Sequence, residues 1–174
     1  QTADSSSEAT ADTKLSRSKG AGGLRYLIAR QGGERLRYFL IKTHYRSTID
    51  FSEEGIEEAG TNLEKFYTFF ERYERITGKS FYDGVDALIR TRAAGDFDPD
   101  KSELLTEVKN LRDSFLTKMD DDFNTGGALS DLFGLLSALN RFADSMKLED
   151  AKARKDQDVD DFTRAVETLR ELSA

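Results

Sequence analysis

The sequence has no cysteine and no tryptophan, and only one proline and one histidine. Without cysteine there is no disulfide framework, no thiolate nucleophile and no cysteine-ligated zinc, so nothing in the chain needs an oxidising compartment. A single histidine forms no histidine cluster. The chain by itself is therefore expected to have no catalytic set, no metal ligands and no cofactor of its own. Long apolar runs are missing too: no stretch approaches the roughly 20 apolar residues that cross a bilayer, and the N-terminus lacks the apolar centre of a signal peptide. These absences lead us to expect a soluble, cytoplasmic protein with no membrane partner. The first residue is Gln1 and not methionine, which indicates a chain that was processed or cut from something longer.

What is present is charge, unevenly spread. With 174 residues and roughly 150 residues to a typical domain, one domain with a tail is expected. The charged share of 34% nearly equals the hydrophobic share of 37%, which suits a helical domain with long solvated faces better than a buried sheet. The net charge of −7 argues against a nucleic-acid partner, since phosphate binding relies on Lys and Arg releasing counterions. The average conceals a segment. From Lys14 to Arg46 nine basic residues face one acid, Glu34, whereas residues 47 to 174 hold 17 basic and 29 acidic side chains. Such a segment can track a phosphate backbone or dock on the acidic remainder of its own molecule, and charge alone leaves both open.

Residues 1 to 13 are small and polar and cannot bury enough surface to offset ordering entropy, so they read as disordered. Gly20, Gly22 and Gly23 extend that leader to residue 23. Helical periodicity then begins: Leu24, Leu27 and Ile28 before the Gly32-Gly33 turn, then Leu36, Phe39, Leu40 and Thr43 in a second helix from Glu34. Ser52 with Glu53 and Glu54 is a helix start. It opens a long amphipathic run through Ile56, Ala59, Leu63, Phe66, Tyr67, Phe70, Tyr73 and Ile76 to Gly78. A short helix is expected near Val85 to Arg92. Ser102 opens another helix, bearing Leu104, Leu105, Val108, Leu111, Phe115, Leu116 and Met119. Asp120 to Thr125 end it and cap the next, whose face is Ala128, Leu129, Leu132, Phe133, Leu136, Leu139 and Phe142. A last, highly charged helix carries Val159, Phe162, Val166 and Leu169. Helices joined by short loops, with no strand, give an all-α, up-and-down bundle over 24 to 174.

Chemistry-bearing constellations are few. His44 has no serine and acid arranged around it in sequence. Consecutive carboxylates at Asp120, Asp121 and Asp122 point in different directions on a helix and suit capping better than a metal ion. Lys14-Leu15-Ser16-Arg17-Ser18-Lys19-Gly20 is a flexible stretch of cations and hydroxyls, the composition that phosphate binding requires.

Several strings, taken in order, resemble the cysteinyl-tRNA synthetases, a family of class I aminoacyl-tRNA ligases. They are Leu36-Arg37-Tyr38-Phe39-Leu40, Thr43-His44-Tyr45-Arg46-Ser47, Asp50-Phe51-Ser52-Glu53-Glu54 and, far downstream, Met119-Asp120-Asp121-Asp122-Phe123-Asn124-Thr125 followed by Ala128-Leu129. The likeness covers roughly residues 14 to 145. It implies a DALR-type bundle, the anticodon-binding-like helical domain of class I synthetases, with the eponymous motif reading Glu34-Arg35-Leu36-Arg37 here. Lys14-Leu15-Ser16-Arg17-Ser18 is similar to that class's Lys-Met-Ser-Lys-Ser loop, which implies ATP-loop roles for Lys14, Ser16, Arg17 and Ser18. Arg17 keeps the charge of the second lysine but changes its geometry, and the asparagine usual after the loop's glycine is missing.

The resemblance implies a full-length enzyme that attaches cysteine to tRNA-Cys using ATP and a zinc ion. The Rossmann-like catalytic core, its His-Ile-Gly-His signature and the zinc ligands have no counterpart in this sequence, so the chain is expected to be non-catalytic. Its implied partners are tRNA-Cys and the remainder of the synthetase. Arg35, Arg37, Lys42 and Arg46 are the candidate tRNA contacts, and Arg37, inside an apolar helix, is expected to be the most structural of them. Two other readings stay open at this point: a synthetase-derived bundle that holds a protein partner, and part of a cysteine:amino-sugar ligase as in mycothiol synthesis.

Overall fold

A computed structural model describes residues 24–83, 99 and 101–173. Among them the secondary structure is helical, with no strand: α1 (Leu24–Gln31), α2 (Gly33–Ile41), α3 (Glu53–Thr77), α4 (Glu103–Asp120), α5 (Thr125–Ser145) and α6 (Asp156–Ser173). The leader of residues 1 to 23, with Lys14, Ser16, Arg17 and Ser18, and the helix expected near Val85 to Arg92 lie outside the described residues.

Local chemistry sets the helix ends. Ser52 Oγ accepts from the Gly55 N–H at 3.1 Å, and Glu53 and Glu54 occupy the positive end of the α3 dipole. At the other end Gly78 takes φ 72°, a left-handed conformation in which its N–H reaches the Glu74 carbonyl at 2.8 Å. Ser102 starts α4 and Asn124 starts α5 in the same way as Ser52, each accepting a backbone N–H three residues on.

Helix α3 is the spine that joins two apolar clusters. Its first half packs Ile56 and Ala59 against Leu36, Tyr38 and Phe39 of α2. Its second half, through Phe69, Tyr73 and Ile76, enters the larger cluster formed with α4, α5 and α6. Leu129 and Phe133 of α5 touch both clusters, and the Phe66 and Phe133 rings sit 4.9 Å apart.

The buried faces differ from the sequence expectation at specific positions. Helix α2 stops at Ile41, so Thr43 lies beyond it, and Leu40, expected inside, is 48% exposed. The buried arc is turned toward Tyr38 and Phe39, because the Phe39 ring lies directly over Gly55 of α3. Phe69, absent from the expected face, is buried, while Tyr67 and Phe70 are only half-buried. A single-stripe pattern underestimates a helix covered from two directions, and the same reason buries Leu135 and Ala138 of α5, which packs against both α4 and α6.

Candidate functional site

The segment after α2 and the turn between α4 and α5 meet, although 77 residues separate Tyr45 from Asp122. The turn is made by two consecutive left-handed residues, Asp122 at φ 54° and Phe123 at φ 53°. Aspartate tolerates this conformation better than most side chains, and phenylalanine poorly. The Asn124 N–H donates to the Lys118 and Asp121 carbonyls at 3.0 and 3.2 Å, and its Oδ1 accepts from the Gly127 N–H at 3.0 Å. The reversal is thereby closed into the first turn of α5.

Asp122 is the hub. Tyr45 donates its hydroxyl to Asp122 Oδ1 at 2.6 Å, Arg46 Nη1 lies 3.0 Å from Oδ2, and His44 Nε2 lies 3.1 Å from the Asp122 carbonyl. The Arg46 N–H donates to His44 Nδ1 at 3.3 Å, which makes Nδ1 the acceptor and leaves the proton on Nε2, where it reaches that carbonyl. The hydrogen bond to Asp122, then partial desolvation and the carboxylate charge, raise the Tyr45 phenol above its ordinary range and keep it a donor. The His44 and Tyr45 rings lie 4.8 Å apart, with the Arg46 guanidinium 5.3 Å from the Tyr45 ring. Backbones also approach closely here: a Cβ at Gly126 would stand 3.0 Å from the Lys42 carbonyl oxygen. Three consecutive side chains of one segment thus close on a single residue of another.

Asp122→Ala is expected to loosen this junction rather than the bundle. It removes the Tyr45 and Arg46 contacts, leaving only that of His44 to the backbone carbonyl, and puts alanine at a left-handed φ, a conformation that costs about 1 kcal/mol for a residue with a Cβ. Amide hydrogen exchange should rise in α1, α2 and residues 42–51 while α6 stays protected; equal protection in both proteins would show that the hub holds nothing.

The basic residues singled out from sequence do not form one surface. Lys42 pairs with Glu58 at 3.0 Å and lies 5.3 Å from the Phe39 ring centroid, Arg46 pairs with Asp122, and Arg30 pairs with Glu53 at 2.9 Å. Docking on the molecule's own acids therefore holds Arg30, Lys42 and Arg46. Arg35 is half-buried: its guanidinium lies against Gly60 of α3, and Nη1 donates to Gln31 Oε1 at 3.4 Å. Arg37 reverses the expectation. It is exposed and has no ion pair among the described residues. At 100° per residue the buried arc of Leu36, Tyr38 and Phe39 contains Arg35 and leaves Arg37 on the opposite side of α2. The sequence reading also missed the bond from the Tyr67 hydroxyl to Glu34; the signal available was that a tyrosine within an apolar stripe needs a partner for its hydroxyl. Among the described residues no three His, Cys, Asp or Glu side chains converge on a point where a metal ion would sit.

A family model for the DALR domain matches residues 114–174, from the end of α4 through α6; the match begins well after Glu34-Arg35-Leu36-Arg37. Curated relatives extend the similarity. The cysteine–tRNA ligase of Thermodesulfovibrio yellowstonii is 32% identical over 162 residues, covering 92% of this chain and 30% of that protein. That of Thermococcus onnurineus is 35% identical over 119 residues, 68% of this chain and 23% of its own length, and that of Syntrophobacter fumaroxidans is 37% identical over 122 residues, 70% and 23% respectively. The chain spans between about a quarter and a third of the relatives it matches.

Proposed function

We propose, from the premise that this chain is the DALR-type helical region of a cysteinyl-tRNA synthetase, that it is the tRNA-binding helical domain of that enzyme. The observation that carries the reading is the junction at Asp122. The two strings that resemble the family, His44-Tyr45-Arg46-Ser47 and Asp120 to Thr125, meet there through three side chains, and the second string lies inside the matched domain. The role is positioning: a braced bundle holds tRNA, and the segment after α2 couples that contact to whatever precedes the bundle.

On this reading the longer protein joins cysteine to tRNA-Cys in the cytoplasm using ATP, with the remainder of the synthetase as the bundle's partner. Lys14, Ser16, Arg17 and Ser18 would belong to the loop that steadies the ATP phosphates. Zinc does not fit the residues present here. There is no cysteine, and both ring nitrogens of the single histidine are engaged at the Asp122 junction, so no step on this chain is assigned to it.

The phosphate contact best supported is Arg37, which is exposed and has no ion pair among the described residues. Binding of a tRNA-Cys transcript to the full chain should weaken with salt, since each phosphate contact releases counterions. Arg37→Ala should weaken binding several-fold and lower the slope of log Kd against log salt by about one. Arg35→Ala, which loosens the contact between α2 and α3, should lower thermal stability with the slope unchanged. Absence of salt-dependent binding by the unaltered chain, or an Arg37→Ala slope equal to it, would overturn the assignment.

A further inference from the structure

A cleft of about 500 Å³ opens between α2, α3 and the ends of α4, α5 and α6, within the size range of small-molecule sites. Its walls are apolar, with Leu63, Phe70, Phe81 and Leu129 among them. Phe70 and Phe81 stack at 3.8 Å between centroids, and Tyr82 meets Phe70 edge-on at 5.7 Å.

Of the charged groups around it, Glu34 and Arg170 are engaged by the protein itself. Glu34 accepts from the Tyr67 hydroxyl. Arg170 donates to the Ser80 carbonyl at 3.0 Å and lies 5.1 Å from the Phe81 ring centroid, so it fixes the wall instead of facing a ligand. Burial, together with the Glu34 charge, pushes the Tyr67 and Tyr82 phenols up, so both stay neutral near pH 7 and add no negative charge to the cleft. Arg37 remains: a lining residue, exposed, and without an ion pair among the described residues.

An exposed cation without an ion pair among the described residues, beside an aromatic wall, defines a ligand class. We propose that the cleft binds a planar aromatic molecule carrying one anionic group, the ring against the apolar wall and the anion on Arg37. An unstacked nucleotide of a bound RNA and a free aryl carboxylate or sulfonate share this chemistry. The inference rests on the tRNA reading only for the first source.

The test is titration of the full chain with 1-anilinonaphthalene-8-sulfonate, followed by fluorescence and by methyl NMR, and then competition with AMP. Saturable one-to-one binding is expected, with shifts centred on Leu63, Leu129 and Leu132. Arg37→Ala should weaken it roughly tenfold, the scale of one charge-assisted contact. Leu63→Trp should block it by filling the cleft, with melting curves showing that both variants fold. Displacement by AMP assigns the nucleotide source, and sulfonate binding without displacement assigns the free aryl anion; both support the cleft. Failure to saturate, shifts centred elsewhere, or binding untouched by either variant overturns it. If tRNA binds while the probe does not, this inference falls and the tRNA reading stands; the converse result separates them the other way.

Discussion

Phe162→Ala is expected to cost about 3–5 kcal/mol of folding stability, the range for truncating a fully buried phenylalanine in a core that cannot collapse around the gap. Phe162 is 0% exposed. Its ring stands 6.1 Å from Phe69 and 6.2 Å from Tyr73, so one side chain of α6 joins the second half of the α3 spine to the larger cluster. With a typical total of 5–15 kcal/mol for a domain, the loss is a large fraction, and for a chain of this size it corresponds to a melting temperature lower by about 6–20 °C. Phe162→Leu, which keeps most of the volume, should cost far less. Thermal melts of the two variants check this, and an alanine variant within a degree or two of the parent would mean that α6 is not seated on α3 as described.

The second large effect lies at the turn that presents Asp122. Both carboxylate oxygens of Asp131 accept from Lys118 Nζ at 2.8 Å, and Asp131 is only 7% exposed. Removing the lysine leaves a carboxylate desolvated and unpaired. Breaking a fully buried pair in this way costs about 3–5 kcal/mol, and because water reaches about a third of the Lys118 side chain, about 2–3 kcal/mol is expected for Lys118→Ala. The pair itself is not expected to contribute that much: Lys118→Met with Asp131→Leu, which removes both charges and keeps the volume, should regain most of the loss. Urea denaturation of the single and double variants measures the difference, and a double variant as unstable as the single would show that packing, not desolvation, sets the cost. The pair spans α4 and α5 on either side of the turn, and the Lys118 carbonyl receives the Asn124 N–H. Lys118→Ala should therefore also raise hydrogen exchange at residues 121–124, which links stability of the bundle to the Asp122 junction.

How much was legible in advance depends on the range of each interaction. Ser52, Ser102 and Asn124 were readable as helix starts and Gly78 as a stop, because a cap is made within one turn of the residue that makes it. The apolar stripes were readable for the same reason, and they failed where a helix is covered twice, at Phe69 and Leu135. The resemblance located the two strings, but nothing in either one says that they touch.

The amino-acid sequence by itself determined that this chain is helical, that its 174 residues hold neither a cysteine-based site nor a stretch able to cross a bilayer as a helix, and where most of its helices begin and end. All of these follow from composition, periodicity and capping. The tertiary structure alone decided which charges are spent. It put Arg35 against Gly60, gave Lys42 to Glu58 and Arg46 to Asp122, and left Arg37 beside an aromatic cleft. A side chain's partner depends on which helices cross and at what rotation, and that information is distributed over the whole core and not held in the residues that meet.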